Sequence, residues 1–223
     1  MTRELFYQAI LKFALGVVIV GALIFLPAGT FDYWNAWLFM GMLFIPMVFV
    51  GIVLLIKKPE LLKKRLNAKE KQAEQKLVIK LSGLMFILGF VIAGFNLRFE
   101  WIILSDWISW AGAVIFLFSY LLYAEVLREN TYLSRTIEIQ NGQKVIDTGL
   151  YGIVRHPMYT ATIILFLSMP LVLGSILSFA IFLIYPVMIA NSIRNEEAVL
   201  EQNLDGYIEY KKKVKYKIRP FLW

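Results

Sequence analysis

Four apolar runs, each long enough to cross a bilayer, leave this chain few folds to choose from. A hydrocarbon core of about 30 Å needs about 20 helical residues. The first run extends from Phe6 to about Leu26 and stops at Pro27-Ala28-Gly29. Phe31, Tyr33, Trp34 and Trp37 follow as an interfacial aromatic belt. The second covers about Trp34 to Ile56 and carries Pro46, where a kink is expected. The third spans about Leu77 to Phe95, then a short turn with Arg98 and Glu100 leads into the fourth, Trp101 to about Tyr123. Of 223 residues 59% are hydrophobic, against about 45–50% in soluble domains. Lipid must solvate the excess.

The net charge of +7 sits in the segments between these runs. Residues 57–80 carry nine Lys or Arg against three Glu, the asymmetry that marks a cytoplasmic loop. This distribution argues against nucleic acid as a partner. The first run is too long for a cleavable signal and lacks a small-residue cleavage site. There is no cysteine and one histidine, so disulfides and thiolate metal sites are excluded and no metal is expected.

The long polar segment after the fourth run has strand character. Thr136–Gln140 and Gln143–Asp147 alternate apolar and polar residues around Asn141-Gly142, which predicts a β-hairpin. From Met158 to about Ala190 the chain is apolar for 33 residues; one straight helix of that length would reach about 50 Å. Pro170 and Gly174 lie mid-run, and the basic tail belongs on the same side as residues 124–156, so a helical hairpin is expected. An amphipathic, interfacial helix follows from about Ile193. The expected fold is an all-α integral membrane protein: four transmembrane helices, a C-terminal helical hairpin, a short cytoplasmic β-hairpin and the interfacial helix. It divides into a scaffold, 1–123, and a cytoplasm-facing catalytic region, 124–223. Both termini are expected in the cytoplasm, and the absence of targeting elements fits a bacterial plasma membrane.

Two polar clusters carry the chemistry. Arg155-His156-Pro157 holds the single histidine, with proline suited to the first position of a helix. The N–H groups of Met158, Tyr159 and Thr160, with the Arg155 fork beside them, predict a small anion site. The same residues also read as a topological charge and a helix cap. Arg194, Glu196 and Glu197 follow the last apolar run at the same membrane face. Two adjacent carboxylates there either pair with nearby cations or receive a cationic ligand. A ligand needing both clusters is mixed in charge, and S-adenosylmethionine fits, with its carboxylate, ammonium, sulfonium and adenine. No dinucleotide fingerprint or P-loop occurs.

The string Gln143-Lys144-Val145-Ile146-Asp147-Thr148-Gly149-Leu150-Tyr151, followed by Arg155-His156-Pro157-Met158-Tyr159, resembles the signature of the isoprenylcysteine carboxyl methyltransferases. So do the Pro170–Ser175 break, Arg194-x-Glu196-Glu197, and Gly206-Tyr207-x-x-Tyr210 through Arg219-Pro220. Phospholipid N-methyltransferases are similar over the same region, about 125–223. The resemblance implies an S-adenosylmethionine site at the cytoplasmic face, reached laterally by a lipid-like or prenylated acceptor. Gln143, Lys144, Val145 and Ile146 would line the cofactor. Tyr151, Arg155, His156, Pro157, Met158 and Tyr159 would hold its amino-acid and adenosine parts. Glu197, with Glu196, would face the cation, and Arg194 would touch the methyl acceptor. Ala161 departs from the glycine often found in that family.

A carboxylate acceptor needs no general base and suits Arg194. An amine acceptor needs a proton removed, with Glu196 or Glu197 as the base. NADPH-dependent sterol-type reductases are also similar around an interfacial histidine and a C-terminal tail, but adjacent glutamates would repel dinucleotide phosphates. A membrane adaptor without turnover is the non-enzymatic alternative.

Overall fold

The computed structural model describes residues 3–57, 59–67, 73–130, 132 and 142–219. Long helices account for the apolar runs: α1 (Arg3–Ala28), α2 (Trp34–Lys57), α4 (Ala73–Arg98) and α5 (Asp106–Glu129). A short helix, α3 (Pro59–Asn67), lies between α2 and α4, in the segment the charge pattern marks as a loop. Leucine and lysine are strong helix formers and Pro59 occupies the first position, where its missing N–H costs nothing. The second half comprises α6 (Pro157–Val172), α7 (Ile176–Phe182), α8 (Ile184–Asn203) and α9 (Tyr207–Lys213).

Among the described residues, five helices are long and apolar enough to cross a membrane. Four are α1, α2, α5 and residues 76–98 of α4; the fifth is α7 with α8, taken together over Ile176–Asn203. The expected helical hairpin is therefore α6 followed by α7–α8. Its break falls at Gly174, in the left-handed region at φ 70°, while Pro170 stays inside the last turn of α6. The Gly174 carbonyl accepts from Leu104 N–H at 3.2 Å, and Ser175 Oγ caps α7 by accepting from Ser178 N–H. Tyr33 donates to the Leu173 carbonyl and Asn35 to the Val172 carbonyl. These bonds satisfy carbonyls that the end of α6 would otherwise leave bare in a buried setting.

Three expectations need correction. The fourth long helix starts at Asp106, not Trp101, because Ile103 pairs with Ser175 as an antiparallel bridge. The tail helix does not begin near Ile193: α8 runs unbroken from Ile184, one helix whose first half is apolar and second half charged. Residues 136–141 of the expected β-hairpin lie outside the described residues, and 143–147 carry no strand.

The core is aromatic. Phe39, Phe90, Phe116 and Phe182 are buried against one another at ring distances of 5.5–6.1 Å. Helices meet closely where glycine permits. A Cβ on Gly112 of α5 would lie 2.8 Å from Leu171 Cβ of α6, so the helix that presents Arg155-His156 is seated directly on α5. Ala161, the departure from the family's glycine, is fully buried and is accommodated.

Candidate functional site

The antiparallel run of long helices brings the C-terminal end of α5, the start of α6 and the charged half of α8 to one end of the protein. Glu129, in the last turn of α5, accepts from Leu150 N–H at 2.9 Å and fixes the 3-10 turn Gly149–Gly152. That turn buries Tyr151, whose hydroxyl accepts from the Asn130 side chain at 3.0 Å. Pro157 opens α6 and His156 precedes it as the cap residue.

Arg155, His156 and Glu197 meet at the centre, 6%, 5% and 4% exposed. Arg155 Nε donates to Glu197 Oε1 at 2.7 Å, and His156 Nε2 lies 3.2 Å from the same oxygen. Glu197 Oε2 faces Lys217 at 3.5 Å and Lys211 at 3.7 Å. The carboxylate expected to face a cationic ligand is thus surrounded by the chain's own cations. Such burial is tolerable only because charge and hydrogen bonds are matched.

The tail completes this arrangement. Arg155 Nη1 donates to the carbonyls of Val214 and Lys215, both at 2.7 Å. The backbone N–H groups of Arg155 and His156 donate to Tyr216 and Lys217, and Thr160 Oγ1 donates to the Ile218 carbonyl at 2.7 Å. Tyr210 donates to the Tyr151 carbonyl at 2.7 Å. Of the helix-end donors expected to bind an anion, those of Tyr159 and Thr160 turn back to the His156 carbonyl.

Glu196 has different surroundings. Its Oε2 is buried with no hydrogen-bond partner, as is the hydroxyl of Tyr207. Tyr151, Tyr159 and Tyr207 all feel the Glu196 charge, and the Tyr159 hydroxyl also lies 3.4 Å from Ser192 Oγ. A half-buried carboxylate with tyrosines near it suits a cation. Burial pushes the Tyr151 hydroxyl up to about 12 and raises Tyr207 and Tyr210 above the ordinary tyrosine range, so all three are neutral donors at physiological pH.

The remaining expected residues are placed as follows. Val145 packs against the apolar cluster of the tail; Gln143 and Ile146 are half-buried and Lys144 is exposed. Met158 and Tyr159 are half-buried, with the Tyr159 ring 5.8 Å from the His156 ring. Arg194 is exposed on α8. Sequence reasoning gave Tyr207, Tyr210, Lys211 and Lys217 no role in the site, and Thr160 entered only through its N–H. The Gly206-Tyr207-x-x-Tyr210 string was the available signal. Among the described residues no three His, Asp or Glu side chains are grouped to hold a metal ion.

Membrane-length helices and a polar constellation at one end are the features of an integral membrane protein with a surface-facing site. Residues 107–205 match the family model for phospholipid methyltransferase, which bears out the resemblance to integral membrane methyltransferases read from the motifs. The chain is also similar to a Delta(14)-sterol reductase of Mus musculus, TM7SF2, at 30% identity over 91 residues. That stretch is 40% of this chain and 22% of the reductase, so the chain spans about a fifth of the relative's length.

Proposed function

We propose that the protein is an S-adenosylmethionine-dependent methyltransferase acting on a lipid-like or isoprenoid-linked acceptor, most simply a carboxylate. The observation that carries this reading is that Glu196 Oε2 and the Tyr207 hydroxyl, on neighbouring helices, are each buried without a hydrogen-bond partner. Two orphaned buried polar atoms are costly unless a ligand satisfies them. S-adenosylmethionine fits: its ammonium and sulfonium suit a carboxylate among tyrosines, and its adenine suits flat aromatic surfaces. When bound, it supplies a methyl group on a positively charged sulfur, open to attack by a nucleophile.

The chain's own residues then divide the work. Glu196 faces the cation, with Tyr151, Tyr159 and Tyr207 around it. Gln143, Lys144, Val145 and Ile146 line the adenosine side, and Pro157 and Met158 present the start of α6. Glu197 acts through Arg155 and His156, holding both in place. Arg194, exposed and without an ion-pair partner among the described residues, aligns the acceptor carboxylate, which needs no general base. For an amine acceptor Glu196 is the base. Apolar helix surfaces around the site keep water scarce, which favours a step that disperses charge. The basic loop and tail support a cytoplasmic setting for this end and for both termini, with the bacterial plasma membrane as the proposed membrane.

The sterol reductase relative supports a second reading, an NADPH-dependent reductase. Calorimetry on the detergent-purified protein separates the two. We expect S-adenosylmethionine to bind, and binding to be lost in Glu196→Gln while thermal unfolding is unchanged. Binding of NADPH alone would overturn the methyltransferase reading. Binding of neither would favour a non-catalytic membrane protein.

A further inference from the structure

Residues 204–219 are fastened to the protein differently from the helices beside them. Leu204, Tyr207, Tyr210 and Val214 form a small apolar cluster with Val145 and Leu200, separate from the main core, which the segment touches through Ile218. The segment joins α8 through a turn at Gly206, whose φ is 82° and whose missing side chain would meet open space. Its outer edge is held by Lys213 to Asp147 at 2.8 Å, an exposed pair. Its inner edge is held by Lys211 to Glu201 and Glu197, by Lys217 to Glu197, and by the hydrogen bonds of residues 214–218 to Arg155, His156 and Thr160. A small satellite cluster, tied to the main core through Ile218, opens locally at lower cost than the core itself.

The same segment carries five lysines and an arginine against one glutamate over residues 207–219. Lys212, Lys213, Lys215 and Arg219 are exposed. They lie at the end of the protein that also carries the basic stretch after α2, next to helices that cross the membrane, which is headgroup level.

We propose that residues 207–219 are a lid hinged at Gly206 over the Arg155–His156–Glu197 centre, and that anionic lipid headgroups open it by competing with Asp147 and Glu197 for its lysines. The partner is an anionic bilayer surface, because point-charge lysines at headgroup depth need no shaped acceptor. A lysine near such a surface gains roughly fivefold in affinity, whereas an exposed pair such as Lys213–Asp147 contributes no more than about that factor. Several lysines acting together therefore shift the lid towards open. The proposal rests on the methyltransferase reading only for what the lid admits: opening exposes the site to cofactor from the cytoplasm.

The chain has no cysteine, so Thr160→Cys places a single thiol beneath the Ile218 carbonyl. The full chain is reconstituted in nanodiscs of phosphatidylcholine, or of phosphatidylcholine with phosphatidylserine, and labelling by a water-soluble maleimide is timed. We expect labelling at least about tenfold faster with phosphatidylserine, a gain that several lysines at about fivefold each allow. Added salt should reverse it, and Asp147→Asn should speed labelling without phosphatidylserine. The combined Lys212→Gln, Lys213→Gln and Lys215→Gln variant should lose the lipid response. Equal rates in the two bilayers, or a response that survives the triple variant, would overturn the proposal. Ile218→Cys reports the same opening from the other side should Thr160→Cys not fold. Because labelling involves no cofactor, a lid that responds in a protein that binds no S-adenosylmethionine would sink the methyltransferase reading alone.

Discussion

Arg155 and Glu197, 42 positions apart in sequence, meet at 2.7 Å with both side chains almost wholly buried. Removing either partner strands a charge in a medium that cannot solvate it. We expect Glu197→Ala to destabilise the protein by about 3–5 kcal/mol, seen as a lowered unfolding midpoint in detergent. Arg155→Met in the Glu197→Ala background should recover part of that loss, since two apolar groups then replace one orphaned charge. A double-mutant cycle measures the coupling; additive losses would show that the pair is not a unit.

Alkaline pH should release the tail. Burial raises Tyr151 from 10.0 to about 12 and raises Tyr207 and Tyr210 as well. A phenol whose folded value is raised favours folding fully below its unfolded value, and that contribution is lost as pH climbs towards the folded one. Docking of residues 204–219 should thus weaken from about pH 10 upward, visible as tyrosinate absorbance rising together with proteolysis of the tail. Tyr151→Phe should lessen the pH dependence; an unchanged profile would show that Tyr151 does not contribute to it.

Gly149 cannot be replaced without strain. It sits at φ 53°, and an added Cβ would lie 1.7 Å from Glu129 Oε1. Gly149→Ala should cost about 1–3 kcal/mol from backbone strain, with a further loss because Glu129 must leave the Leu150 N–H. Combining it with Glu129→Ala should relieve the clash and leave the backbone term, as thermal unfolding of the three variants would show.

How much of this was legible in the sequence differs by scale. The long helices follow from hydrophobic length, and the hairpin break follows from Gly174. The start of α5 was misjudged because the Ile103–Ser175 bridge joins residues 72 apart in sequence, which no local pattern reports. The start of α8 was misjudged because a change in composition resembles a boundary even when the helix continues. At the site, the sequence brought Arg155, His156 and Glu197 into one candidate cluster but not the partners the structure gives them. Glu196 and Glu197 are neighbours on one helix, about 100° apart in direction, and sequence does not say which one turns towards Arg155. The tail's carbonyls are invisible to any reading of side-chain types, yet they accept most of the hydrogen bonds of Arg155.

Arg194 provides a clean separation of roles. It is exposed and lacks an ion-pair partner among the described residues, so Arg194→Ala should change stability by no more than about 0.5 kcal/mol. On the proposed reading it should abolish methyl transfer while leaving S-adenosylmethionine affinity within about twofold, less than 0.5 kcal/mol. Loss of cofactor affinity would refute its assignment to the acceptor.

The spacing of Arg155 and Glu197 also orders the birth of the protein. At about 5–20 residues per second, the arginine emerges from the ribosome some seconds before the glutamate that neutralises it. During that interval Arg155 lacks the buried counter-charge that Glu197 supplies in the finished protein. Synthesis of α8 ends that interval, and the strap of residues 214–218 follows within moments. The buried pair that fixes the start of α6 against α8 therefore closes only after both halves of the hairpin have been made.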